Sequence, residues 1–272
     1  MNKTPDVYLV GAGPGDPELL TVKAQRILRQ ADVTVYDRLV SPAILELLPL
    51  GAKRIYVGKA AGRHHMTQDE INSLLVKLAR KGRQVVRLKG GDPFIFGRGS
   101  EEARYLREHG FSFEAVPGIT SAAGCSAYAG IPLTHRGLSS GVRIVTGHCQ
   151  ANQPLNLNWS SLADPDTTLV IYMGLGHLPE ISQKLIAAGL PAATPAAIIE
   201  RGTQPKQRRC IATLADITQR AQALHFRAPS LIVVGRVVTL AEELGCLESQ
   251  ISGLSRSQDA GSLCASAGSQ GL

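Results

Sequence analysis

Val85-Val86-Arg87-Leu88-Lys89-Gly90-Gly91-Asp92-Pro93-Phe94-Ile95-Phe96-Gly97-Arg98-Gly99 is the stretch on which the reading of the fold turns. Its first residues form the next strand of the chain, and the strand runs directly into Gly-Gly-Asp-Pro. A strand ending in this way leaves bare backbone and a carboxylate at the carboxyl end of a sheet, where open α/β folds bind their ligands. An earlier junction has the same character: Val7–Val10 reads as a strand entering Gly11-Ala12-Gly13-Pro14-Gly15-Asp16-Pro17.

Outward from these two junctions, strand-like and helix-like patterns alternate for most of the chain, which is the signature of an α/β fold. Leu20, Ala24, Ile27 and Leu28 share one helical face, Val33–Tyr36 and Ile55–Val57 read as strands, and Ile71, Leu74, Leu75 and Leu78 form the buried stripe of a helix. That helix starts at a capping box, Thr67 with Glu70, and stops at Gly82. A further helix is expected from Ser100 to His109, followed by the small-residue segment Thr120–Gly130. In the second half, Val142–Thr146, Thr168–Tyr172, Ala196–Ile199, Cys210–Thr213 and Leu231–Val234 read as strands, with helices around Leu178–Ile186 and Asp216–Leu224. The sequence therefore predicts two α/β domains, 5–136 and 137–244. Residues 245–272, rich in Ser, Gly and Ala, are expected to be a disordered tail, because they hold too little apolar surface to offset ordering entropy.

Composition excludes several classes. With 44% hydrophobic and 19% charged residues among 272, the chain is an ordinary globular protein. Its five cysteines are dispersed and never form a CxxC pair, which argues for reduced thiols in a cytoplasm and against a disulfide framework or a zinc site. No apolar run suits a signal peptide or a membrane span. A net charge of +7 favours an anionic partner, but the basic residues are scattered, so a small polyanion is as good a candidate as a nucleic acid. His64-His65 lacks a third ligand at suitable spacing and is not read as a metal site.

The glycine loop narrows the ligand. A dinucleotide fingerprint requires G-x-G-x-x-G running straight into a helix; here Asp16 replaces the last glycine and two prolines delay the helix. An acid beside a pyrophosphate repels it, so a cationic group without phosphate, such as the sulfonium of S-adenosylmethionine, fits better. A tight turn without any ligand is the plainer alternative. Asp37, at the end of the second strand, suits either a ribose hydroxyl or a base at the sheet edge.

With these residues in view, the chain resembles the uroporphyrinogen-III C-methyltransferases of the tetrapyrrole methylase family. VYLVGAGPGDPELLT, VYDRLVS, VGKAAG, RLKGGDPFIFGRG, VPGITSA and GIPLTHR occur in the family's order, followed by VTGH, YMG, ERGT and PSLIVVGRVV. The resemblance runs from Val7 to Leu240. It implies a cleft between two α/β domains holding S-adenosylmethionine against Pro14, Gly90, Gly91, Asp92, Ile95, Thr120, Ser121, Met173, Gly202 and Ser230. It also implies Asp37 as proton acceptor and Lys59 as proton donor, no metal, and a homodimer. Taken singly, Met173 could be plain core, Thr120 a helix N-cap and Lys59 a solvated lysine. Arg38, Arg98, His135 and Arg136 lie in matching loops and are candidates for binding substrate carboxylates.

The implied reaction is methylation of uroporphyrinogen-III at C-2 and C-7, giving precorrin-2 for siroheme or cobalamin. Because the chain starts at the methylase strand, the dehydrogenase-ferrochelatase portion fused in some siroheme synthases is expected to be absent. The alternatives are a sibling methylase of the corrin route, a nicotinamide-dependent oxidoreductase on the same glycine loop, an RNA methylase of the same fold, and a non-catalytic cofactor sensor.

Overall fold

A computed structural model describes residues 4–58, 66–148 and 155–245. Lys59, His64-His65 and residues 246–272 of the expected tail lie outside the described residues.

The first sheet contains β1 (Val7–Gly11), β2 (Val33–Tyr36), β3 (Lys53–Tyr56), β4 (Val85–Lys89) and β5 (Phe113–Val116), in the order β3-β2-β4-β1-β5. Every pairing in it is parallel. Parallel strands need crossovers, and these are provided by α1 (Val22–Leu28), α2 (Pro42–Leu45), α3 (Gln68–Ala79) and α4 (Gly99–Glu108). One face of the sheet, with Val7, Leu9, Val35 and Val85, packs on Ile71 and Leu75 of α3 and on Leu106 of α4. The other, with Tyr8, Val10, Val86 and Leu88, packs on Ile27 and Leu28 of α1 and on Ile44 of α2. The chain therefore leaves β1 towards one face and leaves β4, its hydrogen-bonded neighbour, towards the other. Such a divergence opens a crevice at the carboxyl ends of the two strands.

The second sheet contains β6 (Gly141–Thr146), β7 (Thr167–Tyr172), β8 (Pro195–Glu200), β9 (Arg208–Thr213) and β10 (Ser230–Val234), in the order β6-β7-β10-β8-β9. Only β6 and β7 pair in parallel; β10 is antiparallel to β7 and β8, and β8 to β9. Its helices are α5 (Ser121–Tyr128), α6 (Trp159–Leu162), α7 (Leu178–Ala187), α8 (Ile217–Ala223) and α9 (Ala241–Leu244). Helices α7 and α8 cover one face through Ile181, Leu185 and Ile217. Helix α5 follows the first sheet in the chain, yet its Ala122 and Cys125 pack in one cluster with Val170, Ile199 and Leu231 of the second.

Two sheets flanked by alternating helices are what the sequence patterns predict. The capping box at Thr67 is formed on both sides, with the Glu70 amide donating to the Thr67 hydroxyl and the Thr67 amide donating to the Glu70 carboxylate. Strand β5 is the element the patterns did not yield, since Phe-Glu-Ala-Val is only four residues long and interrupted by a carboxylate. No helix of the described residues is long and apolar enough to cross a membrane.

Candidate functional site

The strand ends of the first sheet meet through three glycines. A Cβ on Gly11 would lie 2.5 Å from the amide nitrogen of Gly118 and 2.7 Å from the carbonyl oxygen of Gly91, so these backbones touch directly. Gly13 and Gly91 exchange two hydrogen bonds, Gly91 N donating to Gly13 O at 2.7 Å and Gly13 N to Gly91 O at 3.1 Å. Gly91 itself sits at φ +69°, in the left-handed region, and a Cβ there would meet nothing nearer than the Ser121 hydroxyl at 3.8 Å. It is the open glycine of the set. Gly90 is different: a Cβ would lie 2.6 Å from that of Leu39, so packing against the loop after β2 demands this glycine.

Two carboxylates pin the loops. Asp92 Oδ2 accepts from the amide of Gly118 at 3.1 Å and Oδ1 from the amide of Phe94 at 2.8 Å. Asp16, the residue that spoils the dinucleotide fingerprint, accepts from the Tyr128 hydroxyl at 2.8 Å and from the Glu18 amide at 2.8 Å, while its own amide donates to the Thr203 hydroxyl. The acid in the glycine loop thus ties that loop to α5 and to the loop after β8. Burial and the negative neighbour together push the Tyr128 phenol up to about 12, so it remains a donor. Pro14 packs on α5 at Gly124, where a Cβ would lie 2.6 Å from the proline ring.

The second sheet presents one edge to this region. Register places Ser230 opposite Glu200, and Leu231 opposite Tyr172, so the ends of β7 and β8 and the start of β10 lie side by side. Tyr172 reaches α5: its hydroxyl accepts from the Ala122 amide at 2.7 Å and lies 2.5 Å from the Thr120 hydroxyl. Thr120 occupies the N-cap position but makes no side-chain cap bond; the tyrosine does that work from the other sheet. The Phe96 ring, in the loop after β4, packs 5.2 Å from the Tyr172 ring. Next to it Met173 is 49% exposed, with Phe94, Ile95 and Phe96 also exposed. Five of the six non-glycine residues with positive φ among those described, Phe96, Arg98, Met173, Arg201 and Thr203, lie in the loops after β4, β7 and β8. Strain of this kind persists where surroundings over-determine a loop, as at ligand sites.

Beneath the Asp37 end of β2 lies a buried charge network. Arg87 and Lys89, on one face of β4, both bond Glu102 of α4, which has no exposed surface. Gln68 of α3 donates to the same carboxylate at 3.2 Å. Arg87 continues to Asp37, Nη2 to Oδ2 at 3.3 Å, and Asp37 Oδ1 accepts from the Leu39 amide at 3.0 Å. Burial foremost, and then Arg87, lowers the Lys89 pKa from its ordinary value, against the raising influence of Glu102 and Asp37.

Residues 6–218 match the family described as Tetrapyrrole (Corrin/Porphyrin) Methylases. The chain belongs to that family. A siroheme synthase of Azotobacter vinelandii is 55% identical over 247 residues, which cover 91% of this chain and 53% of that protein. A siroheme synthase of Thiobacillus denitrificans is 54% identical over 248 residues, with 91% and 52% covered. The chain thus spans about half the length of these curated relatives. Among solved structures, the uroporphyrin-III C-methyl transferase of Thermus thermophilus complexed with S-adenyl homocysteine is 43% identical with a TM-score of 0.74, covering 86% of this chain and 99% of that one. A cobalt precorrin-4 methyltransferase is 29% identical with a TM-score of 0.76, covering 85% and 95%.

Within this tetrapyrrole methylase, the structure draws Pro14, Gly90, Gly91, Asp92, Thr120 and Ser121 together around α5 and the ends of β1 and β4. Met173, Gly202 and Ser230 stand at the adjoining edge of the second sheet. Gly202 is buried, and a Cβ on it would lie 2.6 Å from the Cβ of Cys125, so it serves packing against α5. Arg98 is held in a two-pronged pair with Glu101, at 2.8 and 2.6 Å, at the start of α4. That hydrogen bond outweighs partial burial and raises the guanidinium pKa further. Arg38, His135 and Arg136 are exposed. Among the described residues no hydrogen bond or ion pair joins His135 or Arg136 to the glycine loops. Sequence reasoning missed Tyr172 and the trio Arg87, Lys89 and Glu102. The available signal for the trio was two cations two residues apart in a central strand, which requires a buried counter-ion.

Proposed function

We propose that the chain methylates uroporphyrinogen-III at C-2 and C-7, giving precorrin-2 for siroheme or cobalamin synthesis, with S-adenosylmethionine as methyl donor. The observation that carries this reading is Gly91, at φ +69° at the β1/β4 switch point, where the space a Cβ would enter is free of close contacts and bordered by Ser121. A ligand can rest on the backbone there, as a Cβ would otherwise prevent. The similarity to the Thermus enzyme over nearly its whole length supports the same choice of donor and acceptor.

The residues fit that donor. Backbone groups of the Gly90–Asp92 loop, other than the Gly91 amide that Gly13 already engages, would bind its amino-acid end, the hydroxyls of Thr120 and Ser121 would add polar contacts, and Met173 and Ile95 offer exposed apolar surface. Pro14, Gly202 and Ser230 would complete the walls, between the half carrying the first sheet, 5–136, and the half carrying the second, 137–244. When bound, S-adenosylmethionine supplies an electrophilic methyl group on a positively charged sulfur. An electron-rich pyrrole carbon needs only alignment to attack it, and the methylated macrocycle must then shed a proton. Asp37, at the carboxyl end of β2 with its side chain 26% exposed, would accept that proton on its carboxylate, a role taken from the resemblance. Lys59 is assigned as proton donor on the resemblance alone. Arg38, Arg98, His135 and Arg136 are assigned to the substrate's carboxylates, and the net charge of +7 suits that partner. The working form is proposed to be a cytoplasmic homodimer.

Incubation of the purified protein with uroporphyrinogen-III and methyl-labelled S-adenosylmethionine, followed by mass analysis, tests the reading. Two added methyl groups are expected. Label transfer only to a later corrin intermediate, or none to either, would overturn it.

A further inference from the structure

We infer that Glu102, Arg87 and Lys89 form a buried positioning unit that fixes the orientation of Asp37 and supplies the charges its carboxylate faces. The inference rests on the reading of Asp37 as proton acceptor. Glu102 is fully buried and accepts from Arg87 Nε at 3.0 Å, from Lys89 Nζ at 2.9 and 3.0 Å, and from Gln68 at 3.2 Å. Two buried cations against one buried carboxylate leave a surplus positive charge beneath the sheet end. The group that closes this account is Asp37, which Arg87 holds at 3.3 Å and the Leu39 amide at 3.0 Å.

A scaffold has no need of such an arrangement, because well-packed apolar side chains would fill the same face at less desolvation cost. The rest of this sheet does just that, with Val35, Val85 and Leu88 fully buried. The network also has a direction. It runs from the closed interior at Lys89 and Glu102 through Arg87 to Asp37, whose side chain is 26% exposed. Arg87 is anchored against movement by two further bonds, to the carbonyls of Leu88 at 3.0 Å and Val35 at 3.4 Å. Its fork therefore points one nitrogen at Asp37 with little freedom to turn away. Among the described residues, Arg87 of β4 bonds Asp37, Lys89 of β4 feels its charge, Glu102 of α4 bonds both cations, and Arg38 follows it in the chain.

Neutralising either end of the unit should move the pH profile of methyl transfer, in opposite directions. Glu102→Gln removes a negative charge and leaves both cations facing Asp37, making its carboxylate harder to protonate. The acid limb of the kcat profile should move down by about one pH unit and kcat should fall about 10-fold, as a weaker base gives slower proton transfer. Lys89→Met removes a cation, and the acid limb should move up by about the same interval. Binding of S-adenosylhomocysteine, measured by calorimetry on each variant, should stay within about twofold of the parent, separating a positioning role from loss of the fold. If Glu102→Gln fails to bind it, the direction of the Lys89→Met shift decides. Limbs that stay in place, or move in the same direction, overturn the inference while Asp37→Asn remains inactive. Full activity of Asp37→Asn would instead remove the reading on which it rests, and the inference with it.

Discussion

The two sheets of this methylase are built from equal numbers of strands and do different work. In the first, all strands run the same way, so every carboxyl end falls on one edge and the loops after β1, β2, β4 and β5 converge. Glycines, Asp92, Asp37 and the buried charge network all gather there. In the second sheet three of the four pairings are antiparallel, and the corresponding edge mixes the ends of β7 and β8 with the start of β10. It contributes a hydroxyl, a strained methionine and packing glycines. A parallel sheet concentrates polar groups because its topology delivers several loops to one place; the mixed sheet reaches that edge through the Tyr172 hydroxyl on α5 and the Tyr172 ring against Phe96.

The largest expected effect tests whether buried charge truly divides the two. Glu102→Ala leaves Arg87 and Lys89 without their shared counter-ion and should cost about 3–5 kcal/mol. A truncation at equal depth in the second sheet, Ile198→Val, should cost only about 0.5–1.5 kcal/mol. Denaturant unfolding of both variants makes the check, and equal losses would abolish the distinction.

Next comes backbone contact. A Cβ on Gly118 would lie 2.8 Å from both the Cα and the carbonyl carbon of Gly11, so Gly118→Ala should cost about 3 kcal/mol by overpacking that cannot relax through a side chain. Gly141, at the start of β6, would meet only the Thr167 side chain at 3.6 Å. Gly141→Ala should stay within about 0.5 kcal/mol of the parent. A similar cost at both positions would show that the glycine convergence is no tighter than an ordinary strand end.

The contrast between the sheets was only half legible in the sequence. Strand and helix periods, the capping box at Thr67 and the Gly-Gly-Asp-Pro junction identified two α/β halves, because each is a local pattern with a local cause. The antiparallel β8, β9 and β10 were recognised as strands, but nothing in their residues states their direction. Asp16 was legible as a departure from the dinucleotide fingerprint. Its partners, Tyr128 and Thr203, are 112 and 187 residues away, and no local pattern reports contacts of that range. The same holds for Tyr172, which reads as the last residue of a strand and serves as the cap of a helix 50 residues earlier. Gly90 and Gly202 were singled out from the resemblance as ligand contacts, whereas the structure gives each a packing reason as well.

Tyr172 offers a smaller and more selective perturbation, since it is where the two sheets share a hydrogen bond. Burial, partly offset by the bonds to Thr120 and Ala122, raises its phenol above the ordinary value, so it stays protonated and able to donate. Tyr172→Phe keeps the ring against Phe96 and removes only the hydroxyl. The start of α5 then loses its cap, at about 1–2 kcal/mol. Hydrogen exchange should report faster opening of the Ala122 amide with the cores of both sheets unchanged. Uniform destabilisation would mean that the hydroxyl is not a local link.

The smallest effect concerns Glu200, the one carboxylate that the second sheet buries among the described residues. Burial disfavours the charge of Glu200, but the Arg208 guanidinium at 2.7 Å, the Arg227 amide at 2.8 Å and the more distant Arg201 outweigh it and hold its pKa below the ordinary 4.5. A depressed folded-state value means that the unfolded chain takes up the proton first. The contribution to stability is therefore complete above about pH 4.5 and disappears as the pH falls through the lower folded value. Glu200→Gln should lower stability at neutral pH by about 1 kcal/mol and flatten the decline in that acid window. Glu101 in the first half is also depressed, chiefly by its hydrogen bond to Arg98, but half of its side chain is exposed, so added salt should erase its share and spare that of Glu200. Stability measured across the acid range at low and high salt separates the two. A Glu200→Gln curve parallel to the parent at every pH would show that the second sheet, unlike the first, takes nothing from buried charge.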